Sequence, residues 1–426
     1  MNTHLLIEPS TALPLCDVAL LIPTGSALDR SDQVGLTRAA FRMLRRGTKR
    51  RSNEQIEEAI DALGGELAFE VGPFGVAIHA QVIERSLDAM VALIEELLTE
   101  STFNENELGQ LKRETIAEII ESRDQDKSLC GKFFRRALFG DHPLGRGSTG
   151  SEASNAKLTT DDVRKSLKQH FGVGELVVAA TGNLEPKSER FAPALRAFQS
   201  NGGRKPDATD PVTPTGRHLL FVDKPERTQT QIMIGGLGTY PNDDDHLALH
   251  VANTVFGGTF TARLMRAVRS DKGWSYGAYS RMPIERVREA FWMWTFPKAT
   301  DAAACIALQM QLLTDWVRKG ITREELAFAK GNIIESYAFD IDTPWKRVRQ
   351  KADEILLDLP AGYFSEFTKR VDAVTLEQVN AAIAKRVSLD NLVFTVVGTA
   401  SEILGEIEKA IPQLQSTKVV AYDTDV

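Results

Sequence analysis

Cysteine is scarce in this chain. Cys16, Cys130 and Cys305 are scattered through 426 residues, and no two form a CxxC pair. That spacing excludes a thiolate zinc cluster, gives no disulfide framework, and leaves buried free thiols as the expectation. No run of 18 or more apolar residues occurs, so no membrane span is expected. The start, MNTHLLIEPSTALPLCDVALLIPTG, lacks the basic n-region of a signal peptide. This favours the cytoplasm, with the periplasm open for a chain trimmed from a precursor. An excess of basic residues is also missing: 51 Lys and Arg face 58 Asp and Glu, for a net charge of −7. Such a balance argues against a dedicated nucleic-acid binder. GxGxxG and P-loop patterns are absent, and so are HExxH and HxxEH.

What is present is an ordinary globular mixture, 42% apolar and 26% charged, long enough for two to three domains. Residues 201–216, NGGRKPDATDPVTPTG, read as a linker between a domain at 1–200 and a domain at 217–426. The two halves resemble each other. LVVAATG at 176–182 matches LVFTVVG at 392–398, and LTTDDV at 158–163 matches VTLEQV at 374–379, both offset by 216 residues. In the first half, 17–23 reads as a strand and 33–46 and 53–63 as helices. ELAFEV and GVAIHAQV form a hairpin. Residues 85–99, 104–123 and 159–171 are helical, and 175–180 is a closing strand. The second half repeats this, with TQTQIMIGGLG, WSYGAYSRM and FWMWTFP as strands. HLALHVANTVFG, FTARLMRAVRSDKG, 301–318, 322–339 and 343–356 are its helices. The fold expected is α+β: two homologous α/β-roll domains, each a largely antiparallel sheet with helices packed on one face.

Four stretches carry candidate chemistry. His246 and His250 have i, i+4 spacing, but Leu247, Ala248 and Leu249 lie between them. Preceded by Asp243, Asp244 and Asp245, they read as an acidic helix start, with a metal site as the lesser alternative. LGRGSTG at 144–150 is glycine-rich but lacks a P-loop lysine, and reads as a surface loop. RRGTKRRS at 45–52 reads as a solvated helix end or a contact for an acidic partner. RSDKGWSYGAY at 269–279 places Arg269 and Tyr276 at either end of a helix-to-strand turn. A guanidinium fork suits a carbonyl or carboxylate, and a phenol can donate to an oxyanion. A structural role for both stays open on the residues alone.

GSALDRSDQVGLTRAAFRML, LFGDHPLGRGSTGS, LTTDDVRKSLKQHF before ATGNL, and FGGTFTARLMRAVRSDKGWSYGAYS occur in an order and spacing that resemble the pitrilysin and insulinase type of metallopeptidase. This is the inverzincin group, peptidase family M16, in its two-domain bacterial form. The resemblance runs from the first strand to about residue 410. It implies α/β rolls, four of which close into a chamber, two on one chain and two on a partner. Active members carry HxxEH, in which two histidines bind zinc and the glutamate activates water. Here the first histidine position is Arg38, the glutamate position is Phe41 and the second histidine position is Arg42. The distal glutamate is retained as Glu118.

A guanidinium stays protonated and cannot coordinate zinc, and phenylalanine cannot take a proton from water. Glu118 is expected to pair with Arg38 or Arg42 as a buried cationic replacement for the metal. Arg269 and Tyr276 match an arginine and tyrosine that bind or polarise substrate in the second domain of such proteins. The resemblance thus implies a non-metal subunit of a heterodimeric zinc metalloendopeptidase. No metal or cofactor would be bound by this chain, and zinc would sit on a homologous HxxEH-containing partner. Arg269 and Tyr276 would act in trans on unfolded or short peptides, which add to a strand edge. The alternative is a catalytically inactive structural, scaffolding or peptide-binding homologue.

Overall fold

A computed structural model describes residues 2–198 and 202–425. Met1 and Ser200, which bound the first predicted domain, Asn201 at the head of the predicted linker, and the terminal Val426 lie outside the described residues. The chain forms two compact units. One comprises Met1–Ile119, Gly147–Asp207 and Phe339–Phe364; the other comprises Ile120–Arg146, Ala208–Ala338 and Ser365–Val426. Each is an α/β roll.

The first unit holds strands β1 (Asn2–Pro9), β2 (Leu15–Ile22), β3 (Glu66–Val71), β4 (Val76–Ile83) and β5 (Glu175–Gly182), ordered β1-β5-β2-β4-β3. Only β1 and β5 pair in parallel; β2 pairs antiparallel with both β4 and β5, and β3 with β4. Strands β2 and β5 are apolar at nearly every position, the pattern of a strand covered on both faces. Val18, Leu20, Leu176, Val178 and Ala180 join a large core with the helices Leu36–Met43, Leu87–Glu100 and Thr160–Phe171. On the opposite face Ala19, Leu21, Ala77, Val177 and Ala179 meet Val348, Ala352 and Leu356 of the helix Pro344–Leu356. The alanines on that face let a single helix lie close to the sheet.

The second unit is ordered β11-β6-β10-β7-β9-β8, where β6 is Arg217–Asp223, β7 Gln231–Leu237, β8 Ala278–Arg281, β9 Ala290–Thr295, β10 Leu392–Gly398 and β11 Leu414–Ala421. Here β6 runs parallel to β10 and β11, and the other pairs are antiparallel. The helix Asp126–Phe139 packs on β10, β7 and β6. Its Cys130 Sγ lies 3.5 Å from the Thr395 carbonyl, and burial pushes that thiol far above its usual range. Gly235 in β7 has no room for a side chain: a Cβ there would sit 2.1 Å from the Phe291 carbonyl oxygen. Phe256 stacks on Trp316 of the helix Ala302–Lys319 at 4.4 Å between ring centroids.

The internal repeat is therefore visible as two like sheets, with one addition the sequence did not announce. Each sheet takes the helix on its second face from the other half of the chain: Pro344–Leu356 joins the first sheet, and Asp126–Phe139 joins the second. Elements not foreseen include β1, β6, β11 and the helices Asp126–Phe139, Glu152–Lys157, Phe367–Asp372 and Ala400–Ala410. The helix expected at 33–46 is shorter, Leu36–Met43, because the chain enters it through Gly35 in the left-handed conformation, φ 100°. The helix expected from His246 is α-helical only to Asn253 and then widens into a π-turn over Thr254–Gly258. A second π-turn, Arg266–Asp271, interrupts the next predicted helix.

Candidate functional site

The helix Leu36–Met43 is fixed at its start by Asp29. That buried carboxylate accepts from the Gly35 and Thr37 amides, both at 3.1 Å, and from Thr37 Oγ1 at 2.5 Å. Gly35 has φ +100°, and a Cβ there would lie 2.7 Å from the Thr149 carbonyl oxygen, so glycine is needed on both counts. Behind the helix, buried His170 lies between Thr24 Oγ1 at 2.8 Å and Thr37 Oγ1 at 3.0 Å. Burial holds His170 down at about 4, so its ring is neutral near pH 7. Phe41 is completely buried and packs on His170 and Phe171, with ring centroids at 5.6 and 5.9 Å.

Arg38 and Arg42 occupy the other side of this helix and converge on Glu118 of the helix Glu105–Ser122. Arg38 Nη2 donates to Glu118 Oε2 at 2.9 Å. Arg42 grips the same carboxylate with both arms, Nη2 to Oε1 at 2.9 Å and Nη1 to Oε2 at 3.1 Å, and also donates to Thr115 Oγ1 at 3.2 Å. Glu114 pairs with Arg46 one helical turn away. Burial raises the pKa of Glu118, but the hydrogen bonds from Arg38 and Arg42 outweigh it and hold the carboxyl below its usual range. The cluster is half-buried: Glu118 keeps 41% of its side-chain surface, so solvent shares in the compensation. It borders a cavity of about 590 Å³ lined by Arg38, Arg42, Arg45, Arg46 and the edge strand at Leu67–Phe69. The residues present do not fit a zinc ion. Two guanidinium groups stand where donor atoms are needed, and their positive charge repels a dication. Among the described residues, no group of three His, Cys, Asp or Glu side chains comes together to hold a metal.

Arg269 and Tyr276 are brought together in the second unit. The guanidinium carbon of Arg269 lies 4.3 Å from the Tyr276 ring centroid and 4.5 Å from that of Phe260. Tyr276 is 75% exposed and Phe260 64% exposed. The turn that carries Phe260 is held by Gly257, where a Cβ would sit 2.4 Å from Ser280 Oγ in β8. Beyond Arg269 the chain reverses at Gly273, φ +66°, whose amide donates to the Arg269 carbonyl at 3.0 Å.

Residues 5–151 match the family described as insulinase, peptidase family M16, and residues 157–333 match the peptidase M16 inactive domain. The chain belongs to the M16 family. It is 29% identical over 255 residues to an uncharacterized zinc protease of Streptomyces coelicolor, across 58% of this chain and 55% of that protein's length. It is 22% identical over 394 residues to the non-peptidase homolog YmxG of Helicobacter pylori, across 92% and 90% of the two chains. A crystal structure of a peptidase M16 inactive domain from Pseudomonas fluorescens superposes with a TM-score of 0.83 at 23% identity, over 92% of this chain and 95% of that one. Relatives thus bear both protease and non-peptidase names. In this M16 chain Arg38, Phe41 and Arg42 offer neither a zinc ligand nor a general base.

The other candidate stretches serve packing within this M16 fold. His246 and His250 are both held below the usual imidazole range by burial, His246 to about 3. The acidic residues before them do not cap the helix. Asp243 instead pairs with Arg288 and Arg386, and Asp245 with Lys385 and Arg386. In the basic stretch, Arg45 pairs with Glu57, Arg46 with Glu114, Arg50 with Glu100 and Arg51 with Glu96, so it is a laced corner and not a freely solvated helix end. LGRGSTG is not a simple surface loop: Leu144, Gly145 and Gly150 are buried, and Asn155 Nδ2 donates to the Thr149 carbonyl at 2.9 Å. Sequence reasoning missed Thr115, Glu114, Arg46 and His170 as neighbours of the motif helix. It also passed over Phe260, whose signal was an aromatic residue two positions after the Gly257–Gly258 pair.

Proposed function

We propose that this chain is a catalytically inactive M16 homologue that binds peptide segments and works within an assembly. The observation that carries this reading is the Arg38–Glu118–Arg42 cluster, which occupies the motif positions with side chains that can neither ligate zinc nor activate water. These ion pairs link the helix Leu36–Met43 to the helix Glu105–Ser122 without a metal. The cavity beside it borders the edge strand β3, where an extended segment can pair main chain to main chain. The direct test is peptide hydrolysis and peptide binding by the purified chain in the presence of zinc. Binding without turnover supports the reading, and zinc-dependent turnover by the chain alone ends it.

A second reading is favoured by the exposed pairing of Arg269 with Tyr276. In it the chain is the non-metal subunit of a heterodimeric metalloendopeptidase. A homologous HxxEH-bearing chain supplies the metal and the general base. Arg269 and Tyr276 donate hydrogen bonds to the substrate backbone or to the oxyanion. Mixing the two chains and assaying cleavage tests it. Activity in the mixture and in neither chain alone supports the reading, and full activity of the partner by itself excludes it. Replacing Arg269 or Tyr276 in the active mixture should lower turnover by about 10²-fold, as for loss of one oxyanion donor.

A further inference from the structure

Two aromatic rings lie against the Arg269 guanidinium, Phe260 at 4.5 Å and Tyr276 at 4.3 Å, while both rings are largely exposed to solvent. Among the described residues its side chain makes no hydrogen bond or ion pair, although carboxylates are plentiful in this chain and most arginines around the other sites are paired. Contact with two rings restrains the group and leaves its N–H donors without an acceptor among the described residues, as a fork available to a ligand. Two large rings left exposed around an arginine without an acid have no packing role that would account for them: Phe260 and Tyr276 do not belong to the buried core.

The surroundings select the ligand. Arg263, Arg266, Arg269 and Lys272 recur every third residue along this segment, against Asp271 alone; Arg263 pairs with Glu325, whose charge also interacts with Arg266. Arg266 and Lys272 are exposed. A restrained fork within a positively charged ridge prefers an anionic, planar, two-oxygen acceptor over a neutral carbonyl. We propose that Phe260, Arg269 and Tyr276 form a clamp for a peptide carboxylate, either a chain terminus or an Asp or Glu side chain. Phe260 acts in it as a positioning residue that restrains the guanidinium together with Tyr276. This rests on the peptide-binding reading above and adds to it the charge of the ligand and a third member of the site.

The test measures binding of a fluorescein-labelled, unstructured twelve-residue peptide with two internal aspartates and a free C-terminus to the full chain. Wild type is compared with Phe260→Ala and Phe260→Tyr. Phe260→Ala should weaken binding by about fivefold or more, the size of one cation–π contact plus the lost orientation of the fork. Phe260→Tyr, which restores an aromatic face, should stay within about twofold of wild type. Thermal midpoints should be alike for all three, because Phe260 is mostly in solvent. Amidating the peptide C-terminus, or changing both aspartates to asparagine, identifies which carboxylate is held; one of the two changes must weaken binding. Equal affinity of Phe260→Ala and wild type, or indifference of binding to both peptide changes, overturns the clamp while leaving peptide binding intact. No binding by wild type overturns the clamp and the peptide-binding reading together.

Discussion

Glu118 is held by two arginines that would otherwise repel each other across one helical turn. Glu118→Gln keeps the shape but removes the charge that reconciles them. The cost should be about 1 kcal/mol, since the cluster is half-exposed and solvent already screens it. Chemical denaturation of the variant against wild type measures this. The reverse substitution is more telling about function. Arg38→His together with Arg42→His would place two imidazoles at i, i+4 beside a retained carboxylate, a three-ligand set. The double variant should retain about one zinc per chain after dialysis where wild type retains almost none. It should still not hydrolyse peptide, because Phe41 offers no base. Restoring a glutamate at that position is a different matter: Phe41 is packed on His170 and Phe171, and a carboxylate there would be buried without a partner.

Titration at single buried residues contributes two opposed slopes to the pH profile of stability. Burial and the nearby Glu289 charge push the Glu285 carboxyl up to about 7. A raised carboxyl contributes stability that is full below the ordinary carboxylate range and is lost as pH rises through about 7. The buried imidazoles of His170 and His246 are depressed instead, to about 4 and about 3. Their contribution is present above about pH 6.5 and lost as the solution is acidified. The two effects oppose each other below about pH 7, so Glu285→Gln should make the thermal midpoint rise more steeply with pH between about 4.5 and 7, and should leave its slope above about pH 8 unchanged.

At the level of elements, the two helices that cover the second sheet faces differ from the rest in how they hold on. Pro344–Leu356 meets its sheet through Val348, Ala352 and Leu356 against a floor rich in alanine. Such a close approach tolerates little added volume. Ala352→Leu should cost about 1–3 kcal/mol by overpacking, read as a lower denaturation midpoint with unchanged slope. These helices also mark where sequence reasoning stopped. Residues 343–356 were readable as a helix from Thr343, which caps it, and from the spacing of its apolar residues. DKSLCGKFFRRALF was passed over, because Gly131 and two adjacent phenylalanines blur the helical period. A Cβ at Gly131 would meet Met233 of β7 at 3.6 Å, an ordinary contact, so packing does not demand the glycine. Strands β1, β6 and β11 were missed for a related reason. β1 and β11 are edge strands with mostly half-exposed or exposed side chains, and their place is set by pairing with residues far along the chain. The motif helix and the Arg269–Tyr276 turn were legible since their spacing is local. Their neighbours Thr115, Glu114 and His170 were not, because they arrive from other helices.

For the molecule as a whole, the repeat in the sequence suggests two domains joined by a linker, but the helices trade places between the halves. A fragment ending at residue 207 would contain all five strands of the first sheet and lack the helix Pro344–Leu356. Its face at Ala19, Leu21, Ala77, Val177 and Ala179 would be open to water. The complementary fragment would lack Asp126–Phe139 and expose the face of β7 and β10 that this helix covers. Exposed apolar sheet faces of this kind drive association of the unfinished fold. Cutting the chain between Asp207 and Ala208 should therefore give two fragments that are each insoluble or molten when expressed alone. Expressed together, they should recover a stable one-to-one complex, because each carries the helix the other sheet requires. Co-purification through a tag on one fragment, with near-ultraviolet circular dichroism of the product, measures the outcome. If each fragment instead folds alone with a cooperative thermal transition, the exchanged helices are dispensable decorations, and the two halves are independent domains of the kind the repeat alone would suggest.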